Sequence, residues 1–185
     1  MRKLIFALSL SAALMLTLVA SAAAPANFAG TWALDKAKSQ NLGRLQNAES
    51  VTWVITQDGK QITIEQKVTG DMGGGPGGGG PGGGGGGRGP GGGGMGGPRS
   101  YNLDGTETTS ENGPAKNARK ASWSKDEKTL ELSQKTTFTT PDGERTSTTN
   151  EKLELSGEGK VLTVNRHSDG GPRGPQDSTY VFNKQ

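Results

Sequence analysis

The chain has 185 residues, a formal charge of +3, no cysteine and a single histidine, His167. These counts exclude a disulfide framework, thiolate chemistry and the usual cysteine–histidine zinc clusters. The charge excess is too small for a nucleic-acid binder, and it falls from +3 to +1 once Arg2 and Lys3 are set aside with a leader.

The first predicted element is that leader. Arg2 and Lys3 precede an uncharged apolar run, Leu4 to Val19, and Ala20-Ser21-Ala22 and Ala22-Ala23-Ala24 both fit the small-x-small pattern of a cleavage site. This order predicts a signal peptide over residues 1–24 and export to the periplasm or the medium. The run is short for a membrane-spanning helix. Residues 25–185 are then expected to form one domain. With hydrophobic residues at 29 % of the chain, its core must be lean.

Phe28 to Asp35 opens the domain as a strand containing Gly30 and Trp32. Asp35 to Ala48 offers only Leu42 and Leu45 as an apolar pair, so one short helical turn is expected there. Val51, Trp53 and Ile55 alternate with Thr52, Val54 and Thr56, and Ile62 and Ile64 alternate with Thr63 and Glu65. Asp58-Gly59 joins these runs as a hairpin, because Asp-Gly tolerates positive φ. Residues 70–98 hold 21 of the 32 glycines together with Pro76, Pro81, Pro90 and Pro98. Such a segment cannot bury enough apolar surface to offset its conformational entropy, and it is expected to be a disordered loop within one β-meander.

Further runs follow at spacings of about 8–12 residues, the pattern of an antiparallel meander, sandwich or barrel. Tyr101 and Leu103 precede Asp104-Gly105, with Thr106 to Thr109 returning. Ala121 and Trp123 lead into the turn Ser124 to Glu127. Leu130 to Phe138, Thr146 to Leu155, Val161 to His167 and Ser178 to Asn183 complete an all-β chain of about 8–10 strands. If all connections run up and down, the turns at Asp58, Asp104, Lys125 and Gly157 fall on one end. The longer connections, including the glycine tract and Gly170 to Pro175, fall on the other. Ligand-binding barrels show that asymmetry at their mouths.

Gly30 and Trp32 near the N-terminus resemble the Gly-x-Trp of the first strand of lipocalin-like (calycin-type) barrels. The resemblance implies an up-and-down barrel whose tryptophan closes one end beneath an arginine, with Arg166 in that position here, and a habit of binding small apolar molecules. Phe28 to Ser39 and Leu162 to His167 also resemble a group of bacterial exported proteins that begin Phe-x-Gly-Thr-Trp-x-Leu. A meander of another type remains the alternative.

Chemistry is sparse. His167 shares a strand face with Asn165 and Asp169, but nothing marks a nucleophile or an orienting partner, and a solvated strand-end histidine is expected. Glu65, Asp104, Glu107, Glu131, Glu151 and Glu154 are scattered, and alternating charge on outward strand faces accounts for them. The glycine tract lacks the Lys-Ser/Thr ending and following helix of a phosphate-binding loop, and it carries only Arg88 and Arg99 in or beside it. No enzyme activity, cofactor or metal is predicted.

Two function classes remain: a barrel holding a small apolar molecule, and a filled structural or interaction module of the envelope. For the first, Trp53, Trp123, Phe138 and Tyr180 are the candidate ligand-contacting residues. For the second, the same aromatics fill the core. A monomer is expected, without nucleic-acid partners. Lys135 to Phe138 and Thr146 to Lys152 are too polar for an outer-membrane barrel, so no stable membrane insertion is expected.

Overall fold

The computed structural model describes residues 24–70, 97–112, 115–141, 143–170 and 174–185. The predicted leader and most of the glycine tract lie outside the described residues. Ten strands follow one another: β1 (Gly30–Leu34), β2 (Ser50–Gln57), β3 (Gln61–Thr69), β4 (Arg99–Asn102), β5 (Thr108–Asn112), β6 (Ala115–Trp123), β7 (Thr129–Thr140), β8 (Gly143–Leu155), β9 (Val161–Asp169) and β10 (Gln176–Lys184). The weak helical signal after β1 becomes a 3-10 helix, Gly43–Asn47.

Every strand except at the β4–β5 step pairs antiparallel with its neighbour in sequence, and β1 pairs with β10, which gives one sheet in the order β4-β3-β2-β1-β10-β9-β8-β7-β6-β5. The sheet curls into a nearly closed barrel whose seam lies between β4 and β5. No ladder closes that seam, although Thr108 Oγ1 donates to the Ser100 carbonyl at 3.2 Å. The turns and strand spacing pointed to an antiparallel meander, and the meander here curls into an up-and-down barrel.

Strand direction separates the two ends as the turn parity predicted. Tight turns at 58–60, 103–107, 124–128 and 156–160 gather at one end. β1, β3, β5, β7 and β9 end, and β2, β4, β6, β8 and β10 begin, at the other, called here the loop end. A side chain at Gly170, where φ is +78°, would run into the Thr146 carbonyl, so glycine lets the β9 end pass close to β8.

The turn end is plugged. Residues ahead of β1 fold across it: Ala26 N–H donates to Glu127 O at 2.9 Å, and Phe28 N–H donates to Gln57 Oε1 at 2.9 Å. Phe28 and Trp32 have no exposed surface. Trp32 Nε1 donates to the Phe28 carbonyl at 2.8 Å, and Phe28 stacks on Trp123 with ring centroids 6.1 Å apart. The turn end is therefore filled by Phe28 and, beside it, Trp32. The cation over its ring is Lys184, 5.2 Å from the centroid and directly opposite it in the β1–β10 register, and not Arg166. Arg166 lies further along β9 and is engaged elsewhere.

Candidate functional site in the barrel interior

Register places inward side chains in rows around the barrel, and the rows change character along its axis. In the turn half, Trp123, Leu130, Leu153, Val164 and Tyr180 stand opposite one another across β6 to β10. The next row reads Ala121, Leu132, Glu151, Arg166 and Ser178. The row after that is wholly polar: Arg119, Gln134, Thr149, Ser168 and Gln176. The apolar core thus fills the turn half, and the β6–β10 wall of the loop half is polar inside.

The polar wall is knitted together. Arg119 Nε donates to Gln134 Oε1 at 3.1 Å, Thr136 Oγ1 donates to Asn117 Oδ1 at 2.8 Å, and Arg166 Nε donates to Ser168 Oγ at 3.2 Å. Across the barrel the β2–β3 wall stays apolar toward the same end. Val51 and Val68 pair in register and bury themselves with Ala48, and Leu34 and Leu45 pack on them. The loop half of the interior therefore has two unlike faces.

Glu151 sits at the boundary. Its side chain is 1 % exposed, in contrast to the outward position expected for the scattered carboxylates. The correction follows from parity, since Glu151 lies on the same face of β8 as the core residue Leu153. Arg99 reaches across from β4, and its NH1 lies 2.9 Å from Glu151 Oε2. The Arg99 guanidinium also lies over Trp53, 5.4 Å from the ring centroid. Trp53 in turn donates from Nε1 to Gln66 Oε1 at 3.0 Å.

The second carboxylate oxygen, Oε1, has no hydrogen-bond partner among the described residues although it is buried. Its closest cation is Arg166, whose Nε stands 3.9 Å away, too far for a direct hydrogen bond. Burial pulls the Arg99 guanidinium down, the Glu151 charge pulls it up, and the net lies above its ordinary value. Burial raises the Tyr101 phenol, which stands two residues along β4 on the same face.

The four residues expected to contact a ligand are not brought together. Trp53 and Tyr180 both pack on Phe182, with centroids at 4.8 and 6.5 Å, inside the core. Trp123 lies near the turn end against Phe28. Phe138 is 41 % exposed, far up β7 toward the loop end. The residues that sequence reasoning passed over are Arg99, Glu151 and Tyr101.

A concavity of about 610 Å³ runs along β6 to β10 and is lined by the row of Ala121, Leu132, Glu151, Arg166 and Ser178 together with its sequence neighbours. Outward residues such as Lys120, Asn150, Lys152, Asn165, His167 and Asp177 line it. His167 finds there the partner that its own strand could not supply. Its Nδ1 is 2.7 Å from Asp177 Oδ1, the residue opposite it on β10. Lys152 pairs with Glu154 and Thr179 with Asn165. These groups satisfy one another in contact with solvent. Among the described residues no group of three potential metal ligands occurs.

No known protein family matches the sequence, and no curated protein does. The chain is similar in structure to the zebrafish ileal bile acid-binding protein complexed with cholic acid, with a TM-score of 0.46, 14 % identity, and coverage of 85 % of this chain and 98 % of that one.

Proposed function

We propose that this chain is an exported binding barrel, not an enzyme, that takes a small, largely apolar molecule carrying a polar group. The molecule is received in the loop half of the interior. One observation carries the reading: a carboxylate with 1 % exposure stands between two guanidiniums inside a small barrel. Burying such a cluster costs several kcal/mol per ion before pairing offsets it, and hydrophobic residues of the same volume often serve stability as well or better. Charge kept in that position fits a recognition role. The unlike walls fit the same role, since the Val51–Val68 face suits an apolar body and the β6–β9 face suits its polar part. The turn end is plugged by Phe28 and Trp32, which leaves the loop end as the approach.

Native mass spectrometry of protein purified from its source tests the reading. The expected result is a non-protein mass that leaves on denaturation. A ligand-free mass, together with no uptake of fluorescent amphiphilic probes, overturns it. Fractionation is expected to find the chain outside the cytoplasm, shortened by residues 1–24.

A filled structural or interaction module is the second reading. It is favoured by the tight apolar half, where Trp32, Trp53, Tyr101 and Phe182 are each no more than 1 % exposed. It predicts a barrel that takes up no amphiphile and depends on the charged cluster for nothing but stability.

A further inference from the structure

We infer that the interior site selects a ligand whose polar group is an uncharged hydroxyl, donated to Glu151 Oε1, over one that presents a carboxylate or an ammonium. The inference rests on the interior-site reading above and names the class of molecule that the site takes.

The need within the cluster is specific. Arg99 has Glu151 Oε2 at 2.9 Å and the face of Trp53, and Arg166 has Ser168 at 3.2 Å. Both guanidiniums also keep part of their surface accessible, 20 % and 33 % respectively. Glu151 Oε1 differs, because it is the one buried side-chain polar atom without a hydrogen bond among the described residues. An acceptor left unmet in that way costs on the order of 1–3 kcal/mol, and more when charged. What the site lacks is therefore a donor.

Geometry narrows the donor to a small group that can also accept. Oε1 and Arg166 Nε are separated by 3.9 Å. A hydroxyl set between Oε1 and this guanidinium donates to the carboxylate and can accept from an Nη–H of Arg166, since the Nε proton already goes to Ser168 Oγ. A ligand carboxylate has no proton for Oε1 and would bring a second negative charge beside Glu151. An ammonium has protons but no lone pair for Arg166, and it would stand between two guanidiniums. The hydroxyl alone meets both neighbours without adding charge, and a site built to receive a donor discriminates strongly against analogues that lack it.

The test compares 1-decanol, decanoate and decylammonium, three probes of one chain length, by calorimetry and by tryptophan fluorescence on the full mature chain. Trp53 lies under Arg99 and reports on the cluster. The alcohol is expected to bind at least about tenfold more tightly than either ion. In Glu151→Gln the cluster loses its negative charge, so the carboxylate is expected to gain and the alcohol to lose its lead. Circular dichroism verifies that the variant keeps the barrel, and the wild-type series stands by itself if the variant does not fold. Decanoate binding as tightly as the alcohol overturns the inference while leaving an interior site intact. So does an alcohol preference unchanged in a folded Glu151→Gln. Binding of none of the three overturns the interior-site reading as well, and means that water alone meets Oε1.

Discussion

Arg99 on β4 and Glu151 on β8, 52 residues apart in sequence, meet at 2.9 Å across the barrel interior beside the one seam without a ladder. The pair joins the β2–β4 side of the sheet to the β6–β9 side, where backbone hydrogen bonds do not. It therefore ties the margin strand β4 from inside to β8, three strands in from the other margin.

A double-mutant cycle separates the worth of that pair from its burial cost. Arg99→Met leaves Glu151 with no partner within hydrogen-bond distance, and breaking a buried pair in this way costs about 3–5 kcal/mol. Arg99→Met with Glu151→Met removes both charges and is expected to recover most of that loss, or to exceed wild-type stability by about 1–4 kcal/mol. Urea denaturation of Arg99→Met, Glu151→Met and the double variant gives the cycle. A double variant as unstable as the single one would mean that the pair is a net stabiliser.

Tyr101 gives a pH dependence with a defined sign. Burial is the first cause that raises its phenol above the ordinary value of 10.0. The folded chain thus holds this proton more tightly than the unfolded chain does. The stability that it contributes is complete below the unfolded value and is lost as pH rises through the folded one. Denaturation midpoints measured from neutral to strongly alkaline pH are expected to fall in the wild type and to fall less in Tyr101→Phe. Equal slopes would show that alkaline unfolding has another source.

The strands with one apolar face were plain in the sequence, because alternation and Asp-Gly turns specify both strand and hairpin. The interior charge was not. The stretch from Ala115 to Lys120 belongs to β6, yet its inward positions are Asn117 and Arg119, so no apolar alternation marks it. Glu111 to Lys116 was expected as one of the longer connections, and β5 and β6 in fact pair as far as Asn112 and Ala115. Glu151 was legible in part: it shares parity with Leu153 and Leu155, and continuing their face by two residues places it inside. Arg99 was hidden by its position beside the glycine tract, where a basic residue reads as part of the loop. The partner of His167 was hidden too, because Asp177 becomes its neighbour only through the β9–β10 register.

Trp32 and Lys184 face each other at the plugged end, and Gly30 makes room for them. At Gly30 φ is +145°, and a Cβ would meet the Lys184 stem at 2.9 Å. That stem is flexible, so the cost of Gly30→Ala is chiefly backbone strain, of order 1–3 kcal/mol. Trp32→Phe loses the indole donor to the Phe28 carbonyl, worth about 1 kcal/mol, and also leaves a gap in the packing. Lys184→Ala removes only a cation from above a buried ring and is expected to cost less than either. Thermal melts of the three variants establish the order, and a Lys184→Ala variant as unstable as Trp32→Phe would contradict it.

Trp53 and Phe138 were expected to serve one ligand from sequence, and their positions predict opposite behaviour. Trp53 is 1 % exposed, packs at 4.8 Å on Phe182 and lies beneath Arg99. Trp53→Ala is expected to cost about 3–5 kcal/mol, as core aromatic truncations do. Trp53→Phe keeps most of the volume but removes the donor to Gln66, so it is expected to cost less while weakening amphiphile uptake through a displaced Arg99. Phe138 is 41 % exposed on β7 beyond the charged cluster. Phe138→Ser is expected to leave stability within about 0.5 kcal/mol of wild type. Its effect on uptake locates the ligand. A loss of binding in a fully stable Phe138→Ser would place the apolar body against the upper part of β7. Unchanged binding would keep it deeper, against the Val51–Val68 wall. Chemical denaturation and the decanol titration, run on the same three variants, distinguish these outcomes.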